Sequence, residues 1–169
     1  MYRKKIVAGN WKMNGSVTKN VQLLSALTQS APDNIEIILA PPALYLSGVK
    51  AQLMGSSIAL AGQNVAAEGQ AGAYTGEISA QMFADIGVSY AIVGHSERRQ
   101  YYAETDSLVA KKCLRLREQG LKPIICVGES LAERESGQAE AVVSRQLKAV
   151  IDYCGVELLA DAILAYEPV

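Results

Sequence analysis

The stretch 89–95, SYAIVGH, is an apolar run that ends in a glycine and a histidine, and the charged segment 96–99, SERR, follows it directly. Apolar side chains at consecutive positions are typical of a parallel strand that is covered on both faces, whereas a strand with one wet face alternates. The charged segment has the composition of a first helical turn. The stretch therefore predicts a buried strand that opens directly into a helix.

Five further apolar runs of this kind occur along the chain: KIVAGNW (5–11), EIILAP (36–41), SIALAGQ (57–63), KPIICVGE (122–129) and AILAYEP (162–168). Helical patterns lie between them, so the order βαβαβ predicts an α/β domain with right-handed crossovers. The strand centres are roughly 30 residues apart, which is the unit length of a (β/α)8 barrel. A doubly wound open sheet fits the alternation equally well. We expect a single domain, 1–169, with five βα units and a sixth strand.

Two helices carry specific expectations. In the first, after strand one, Val17, Val21 and Leu24 share one face with Ala26 or Leu27, and Ser16 or Thr18 is the candidate cap. We expect that face to pack on the core. The last helical pattern, 131–155, contains a glycine, Gly137, at which we expect the helix to break.

Composition excludes several classes of function. There are 16 basic and 17 acidic residues and a formal net charge of −1, which argues against binding nucleic acid or a membrane surface. No apolar stretch approaches ~18 residues, so no membrane span is expected. The N-terminal apolar run is interrupted too early for a signal peptide. Three cysteines without a CxxC pair predict buried free thiols, and we expect a cytoplasmic protein.

The sequence also bears on metals and cofactors. No His, Cys or carboxylate spacing resembles a metal site. There is no GxGxxG and no GxxxxGK[ST] pattern for a nucleotide. Cys126 lies inside an apolar run without a visible base, so it is interpreted as a core residue. We expect neither a metal nor a cofactor.

Polar residues follow most of the predicted strands. In a parallel α/β domain the carboxyl ends of the strands meet on one rim, where functional side chains gather. The residues that this places together are Asn10, Lys12, Gln63, Asn64, His95, Ser96, Glu97, Glu129 and Glu167. Their combination predicts a site at this rim.

Several of these residues have two interpretations. Lys12 is either a surface lysine with a solvated amine or a fixed positive charge for an anionic substrate. Asn10 either donates a hydrogen bond to a developing oxyanion or satisfies the loop backbone. Glu97, Arg98 and Arg99 could simply be solvated or paired charges at a helix start. The glycine-rich stretch 68–77, EGQAGAYTGE, could be a mobile surface loop.

His95 is the only histidine of the chain. It is either a polar strand-end residue satisfied by its neighbours or a catalytic group. The positive end of a helix dipole repels a second positive charge, so a histidine at this position is expected to stay neutral. A neutral imidazole can donate a hydrogen bond to a carbonyl. Glu167 is equally unusual, because a carboxylate at the end of an apolar strand is costly to desolvate.

Six of these strand-end strings resemble those of the triosephosphate isomerase family: AGNWKMN (8–14), GQNV (62–65), GAYTGEIS (72–79), VGHSERR (93–99), CVGE (126–129) and AYEPV (165–169). The resemblance runs in register from residue 5 to the last residue. It implies a (β/α)8 barrel that interconverts dihydroxyacetone phosphate and glyceraldehyde 3-phosphate without a cofactor, in glycolysis and gluconeogenesis.

The resemblance also implies roles for individual residues. Glu167 matches the base that takes the proton next to the carbonyl, and His95 matches the neutral group that hydrogen-bonds the carbonyl. Lys12 matches the cation that binds the anionic substrate, with Asn10 as a supporting donor; Glu97 and Ser96 match supporting positions. Tyr74, Thr75 and Gly76 lie in the loop that, in this family, docks into a partner subunit. The resemblance therefore implies a homodimer.

One departure affects these expectations. The family continues beyond the YEPV motif into a lid and two more βα units. From this we expect an incomplete barrel whose first and sixth strands are edges, and a chain with no substantial isomerase activity on its own. The alternative is a non-catalytic barrel fragment or an interaction module that associates through its open edges.

Overall fold

The structure is a computed structural model that describes residues 5–32 and 34–168; the ends of the predicted domain, 1–4 and 169, lie outside the described residues. Strands and helices alternate as expected. The strands are β1 (Lys5–Asn10), β2 (Ile35–Ala40), β3 (Ala59–Gly62), β4 (Tyr90–Val93), β5 (Lys122–Val127) and β6 (Ile163–Tyr166). The helices are α1 (Val17–Ser30), α2 (Leu46–Gln52), α3 (Ala80–Asp85), α4 (Ser96–Tyr102), α5 (Asp106–Glu118), α6 (Leu131–Glu135) and α7 (Ala139–Cys154). Short 3-10 turns occupy Ala43–Tyr45 and Val156–Ala160.

The six strands form one sheet in the order β1-β2-β3-β4-β5-β6, and every neighbouring pair is parallel. In a doubly wound sheet the strand order reverses at a switch point, whereas successive strands of a barrel lie side by side. The order therefore selects the barrel over the doubly wound alternative. The sheet is part of a barrel wall, and β1 and β6 are its edges in the part of the chain that is described.

Apolar side chains cover both faces of the sheet. The layer between sheet and helices includes Leu24, Leu60, Phe83, Val109, Leu116 and Ile125. The opposite face carries a second cluster of Ile38, Ala40, Ala61, Tyr90, Ile92, Ile124 and Cys126. Because successive residues of a strand point to opposite faces, covering both faces requires the continuous apolar runs of the sequence.

A close approach explains Gly62 at the end of β3. A Cβ atom built on Gly62 would lie 2.5 Å from the ring carbon Cζ of Phe83, which is buried in the helix-side layer. Any side chain at this position would displace the only phenylalanine of the protein. Gly62 therefore lets α3 pack closely on the sheet.

The expectation for α1 was wrong in part. Leu24 is buried and Leu27 packs against the core, but Val17 is 71% exposed and Val21 is 44% exposed. Asn20 is buried instead. The reason is position: α1 follows the edge strand β1, and α2 is the element that it contacts most, so only part of its apolar face is covered.

Helix termini follow the sequence signals. Ser16 caps α1 by accepting a hydrogen bond from the backbone N–H of Lys19, which settles the choice between the two candidate caps. Ser130 and Glu133 form a capping box at the start of α6. The break at Gly137 is confirmed, because α6 ends at Glu135 and α7 begins at Ala139, with Gly137 at a φ of +74°.

The three cysteines match the expectation from the sequence. Cys113, Cys126 and Cys154 are free and buried, as predicted. Across the described residues, no helix combines the length and the apolar character needed to cross a bilayer.

Candidate active site

The strand-end residues meet at the carboxyl edge of the sheet, on loops that follow three different strands. The carboxylate oxygen Oε1 of Glu167, after β6, lies 3.3 Å from Nε2 of His95, after β4. The amine of Lys12, after β1, lies 2.9 Å from Oε1 of Glu97 in the first turn of α4. The fold thus brings together a carboxylate, an imidazole and an ion-paired ammonium from distant parts of the sequence.

His95 is held by the helix that it caps. Its Nδ1 accepts a hydrogen bond from the backbone N–H of Glu97 at 3.2 Å, and its side chain is only 8% exposed. A nitrogen that accepts a hydrogen bond carries no proton, so the ring proton is on Nε2. The Glu97 carboxylate lies 3.6 Å from Nδ1, beyond hydrogen-bonding distance. The hydrogen bond from the Glu97 backbone is the one made by the tautomer whose proton is on Nε2, the nitrogen that faces Glu167.

The two carboxylate oxygens of Glu167 have different surroundings. Its backbone N–H donates to the carbonyl of Val127 at 2.8 Å, which extends the β5–β6 pairing by one residue. Its Oε1 faces His95, while Oε2 is buried and has no hydrogen-bond partner in the described part of the chain. A buried carboxylate oxygen without a partner is costly unless it serves another purpose. Here it is a ready proton acceptor.

Lys12 adopts a left-handed backbone conformation, with a φ of +49°. Such a conformation is unfavourable for a residue with a side chain and persists only when its surroundings enforce it. The side chain of Asn10 accepts from the Lys12 N–H at 2.9 Å, and the amide of Gln63 donates to the Lys12 carbonyl at 2.8 Å. Gln63 also donates to the carbonyl of Ala40. Two side chains therefore fix the peptide that carries the cation.

The charge of Lys12 is secured by its partner. The hydrogen bond that the Lys12 ammonium donates to Glu97, together with the negative charge of Glu97, raises the pKa of Lys12 above the ordinary value. Reciprocally, the hydrogen bond from Lys12 lowers the pKa of Glu97. Both groups stay ionised near neutrality. Lys12 is therefore a paired cation at the rim of the site, where it can exchange Glu97 for an anionic ligand.

Of the two interpretations of Asn10, the structure supports backbone satisfaction for the side-chain oxygen, which is engaged by Lys12. Arg98 and Arg99 are paired rather than solvated: Arg98 contacts Glu104 at 2.7 Å and Arg99 contacts Asp106 at 2.5 Å. These pairs tie α4 to the segment that begins α5. Ser96 borders the larger of the two cavities described below.

A buried ionic cluster lies behind His95. Glu104 accepts from the backbone N–H of Gly94 at 2.9 Å, from Arg98 and from the ammonium of Lys112, which also reaches Asn64 at 2.7 Å. Burial alone would raise the pKa of Glu104, but the hydrogen bonds from Lys112, Arg98 and Gly94 outweigh it and hold the pKa below its usual value. The residue before His95 is thus anchored to two other loops.

Glu129 belongs to a separate group. It is fully buried, and it accepts from the Tyr166 hydroxyl at 3.0 Å and from Arg134 at 2.9 Å. Its own backbone N–H, together with Tyr166 and Arg134, lowers the pKa of Glu129. This carboxylate secures the chain next to Glu167 and makes no contact with His95 or Lys12 that would place it among the reacting groups.

Two cavities open at this edge of the sheet. One of about 590 Å³ is bordered by Glu167, Ser96 and Cys126, and one of about 330 Å³ is bordered by Lys12, His95 and Asn10. The larger cavity does not reach Lys12, and the smaller does not reach Glu167. A ligand that touches all three functional groups must therefore lie where His95 separates the two.

The loop 68–77 is largely exposed. Tyr74 is 49% exposed, Thr75 is exposed, and Gly76, at a φ of +93°, borders the smaller cavity beside Lys12. Two exposed apolar side chains border that cavity, Met13 at 96% and Tyr102 at 68%. Apolar side chains clustered around a cavity mark a surface suited to contact another protein.

Within residues 5–32 and 34–168, no group of three His, Cys, Asp or Glu side chains is arranged to hold a metal ion. The side chains of the site supply a carboxylate, a hydrogen-bond donor and a cation. Such a set can move a proton to or from carbon next to a carbonyl.

The fold and the site together define a class: a (β/α)8-barrel protein with a His–carboxylate–lysine site at the carboxyl ends of its strands. The family model "Triosephosphate isomerase" matches residues 5–169. The chain is 55% identical to the triosephosphate isomerase of Thiobacillus denitrificans over 167 residues, which cover 99% of this chain and 66% of the relative. The chain belongs to the triosephosphate isomerase family.

Other relatives agree. The triosephosphate isomerase of Paracidovorax citrulli is 52% identical over 173 residues, covering 100% of this chain and 68% of that protein. That of Delftia acidovorans is 51% identical over 169 residues, covering 99% and 67%. The chain thus spans about two thirds of the length of these relatives.

Sequence reasoning missed the residues that hold the site in place. Gln63 was placed at the rim without a role, and Glu104, Lys112 and Gln146 were not singled out. One signal was present for Gln146: it lies four residues from Val142 and from Val150, in the buried row of α7. A polar residue in an apolar row indicates a specific hydrogen-bond partner.

Proposed function

We propose that the protein to which this chain belongs interconverts dihydroxyacetone phosphate and glyceraldehyde 3-phosphate, a step of glycolysis and gluconeogenesis. The observation that carries this proposal is the 3.3 Å approach of the Glu167 carboxylate to Nε2 of a neutral His95, with the ammonium of Lys12 on the same rim. Family membership supports it, because the relatives are named for this activity.

Each group has a role in the reaction. Glu167 takes a proton from the carbon next to the carbonyl, the C–H electron pair forms a carbon–carbon double bond, and the carbonyl oxygen becomes negative. His95 donates its Nε2–H to that oxygen, and Lys12 offsets the negative charge and binds the phosphorylated substrate. His95 then takes the proton of the neighbouring hydroxyl onto Nε2, which restores the imidazole and leaves that second oxygen negative. Glu167 returns its proton to the former carbonyl carbon while the second oxygen becomes the new carbonyl. No cofactor or metal takes part in this sequence of steps.

The remaining residues support these groups. Asn10 holds the backbone of Lys12 and, in this proposal, also donates to the substrate through its amide. Glu97 orients the Lys12 ammonium, and its backbone N–H fixes the tautomer of His95. Ser96 begins α4 and borders the cavity that contains Glu167, and in this proposal it is a supporting residue of the site.

The test uses two proteins: the 169-residue chain, and a chimera in which the segment after the YEPV motif of the T. denitrificans relative follows residue 169. Isomerase turnover is measured by coupling the product to a dehydrogenase. Glu167→Gln is expected to lower kcat of the chimera by about 10³-fold or more with a much smaller change in KM, because the base acts on the transition state.

Glu140→Gln is the matched control, since it makes the same change at an exposed position on α7. It should leave both constants unaltered. A chimera that folds and shows no turnover would contradict the proposed activity and would favour a non-catalytic barrel protein. An unaffected kcat in Glu167→Gln would contradict the assignment of the base.

We also propose that the protein is a homodimer in which Tyr74, Thr75 and Gly76 enter the partner subunit. The exposed apolar side chains of Met13 and Tyr102 beside the smaller cavity support this arrangement, as does the exposure of Tyr74 in the loop itself. Sedimentation velocity is expected to give a dimer for the chimera, and a monomer for its Thr75→Arg variant. Ser144→Arg, at an exposed position of α7, should remain a dimer. A monomeric parent protein would refute the proposal.

Two further points complete the proposal. Residues 1–169 form one structural domain, which the unbroken hydrogen bonding from β1 to β6 supports. The protein acts in the cytoplasm, which its three unpaired cysteines support, because free thiols persist in a reducing compartment.

A further inference from the structure

Gly128 lies directly after β5 and against the backbone of Glu167. A Cβ atom built on Gly128 would overlap the carbonyl oxygen of Glu167 and would lie 2.7 Å from its carbonyl carbon. The φ angle of Gly128 is not in the left-handed region, so an ordinary residue could adopt its backbone conformation. The contact with Glu167 is therefore what requires a glycine here.

The peptide groups of Gly128 are held by a single side chain from α7. The backbone N–H of Gly128 donates to Oε1 of Gln146 at 2.9 Å, and Nε2 of Gln146 donates to the Gly128 carbonyl at 3.0 Å. Gln146 is buried, with 4% of its surface exposed. Two hydrogen bonds to one residue fix its orientation as well as its distance, so α7 sets the position of Gly128.

The residue before Gly128, Val127, also contacts the backbone of Glu167. The Val127 carbonyl accepts from the N–H of Glu167 at 2.8 Å, so residues 127 and 128 contact Glu167 from both its amide and its carbonyl side. On its far side the Glu167 carboxylate lies 3.3 Å from His95. A displacement of Gly128 would therefore move Glu167 relative to His95.

We propose that Gln146 is a positioning residue for the base: through Gly128 it sets the distance between the Glu167 carboxylate and His95. This inference rests on the proposed function in one respect, the role of Glu167 as base. The placement itself does not depend on turnover, and it can be measured on the 169-residue chain.

The primary test is nuclear magnetic resonance of the chain labelled with ¹⁵N in histidine, which contains one histidine and gives one pair of ring signals. Glu167→Gln provides the reference change in the Nε2 signal. Gln146→Met keeps the side-chain length but removes both hydrogen bonds, and it is expected to shift the Nε2 signal in a folded chain. Val150→Ala, one turn further along α7 and 1% exposed, creates a cavity without touching Gly128 and should leave the signal in place.

An unshifted Nε2 signal in folded Gln146→Met overturns the proposal. So does an equal shift in Val150→Ala, because the effect would then be a general loss of packing. If Gln146→Met does not fold, Gly128→Ala replaces it: the added methyl group pushes on Glu167 directly while Gln146 stays intact. It is expected to shift the same signal, and an unshifted signal again overturns the proposal.

Kinetics of the chimera give the second readout. Gln146→Met is expected to lower kcat by about tenfold with KM altered less than about twofold, as misplacement of a base by a fraction of an ångström requires. Val150→Ala should retain kcat. If the parent chimera is inactive, the proposed function fails, while the histidine signals still decide whether Gln146 positions Glu167.

Discussion

At the scale of the residue, the protonation of His95 is decided by a backbone group rather than by a charge. The N–H of Glu97 points at Nδ1 because His95 caps α4, so the ring proton must sit on Nε2. A sequence with one histidine before SERR already indicated a neutral ring. The structure adds which ring nitrogen the helix backbone contacts and which carboxylate faces the other nitrogen.

The tautomer gives a direct prediction. At neutral pH, ¹⁵N spectra of the chain are expected to show His95 with a proton on Nε2 and none on Nδ1. Glu97→Gln should retain this pattern, since it keeps the backbone N–H and removes only the carboxylate charge. A doubly protonated ring, or a proton on Nδ1, would contradict the assignment.

At the scale of the element, loops are joined by buried charges that no sequence pattern reveals. Glu104 links the end of β4 to α4 and, through Lys112, to α5 and the loop after β3. Lys112 is itself buried, with 4% of its surface exposed. Removing one partner of a buried pair leaves the other without compensation.

Glu104→Gln is therefore expected to lower the free energy of unfolding at pH 7 by about 3–5 kcal/mol, as measured in urea. The exposed pair of Lys148 and Asp152 is the control. Asp152→Asn should change the free energy of unfolding by less than about 1 kcal/mol. If Glu104→Gln lowered the free energy of unfolding by as little as the control does, the buried cluster would contribute little to stability.

The same cluster predicts a pH dependence. The pKa of Glu104 is lower in the folded chain than in the unfolded chain, where it is about 4.3. Its contribution to stability is therefore complete above about pH 4.3 and is lost as the pH falls through the lower, folded value. Urea unfolding between neutral and acidic pH should be less steeply pH-dependent in Glu104→Gln than in the parent; equal dependence would contradict this role.

Some features of the helices and strands could be predicted from the sequence, and others could not. The strands were predictable because burial on both faces leaves an unbroken apolar run, and the rim residues were predictable because parallel strands end together. The exposure of Val17 and Val21 could not be predicted from the sequence, since it depends on which neighbours α1 has. The role of Gln146 could not be predicted either, because its hydrogen-bond partners are backbone groups of Gly128, which is distant in the sequence.

At the scale of the whole molecule, the reactivity of the three thiols depends on the intact fold, because all three are buried. Burial raises the pKa of Cys126 to about 12, and burial also raises the pKa of Cys113 and Cys154. All three are therefore protonated and poorly nucleophilic at ordinary pH. Cys126 lies beside the cavity that contains Glu167, yet only 3% of it is exposed.

Reaction with a disulfide reagent such as Ellman's reagent at pH 8 is thus expected to be slow for all three thiols and to follow the rate of unfolding. In urea the three should react at once, and Cys154→Ala should leave two. Rapid modification of a single thiol in the native protein would show that the larger cavity admits the reagent to Cys126.

The sequential strand order has a consequence for synthesis on the ribosome. Each strand pairs with the one made just before it, so the wall can grow one βα unit at a time as the chain emerges. His95 and its helix are then in place well before Glu167 is translated. The close approach of Glu167 to His95 forms only when β6 docks, and until then the nascent chain carries a folded wall whose histidine lacks the Glu167 carboxylate beside it.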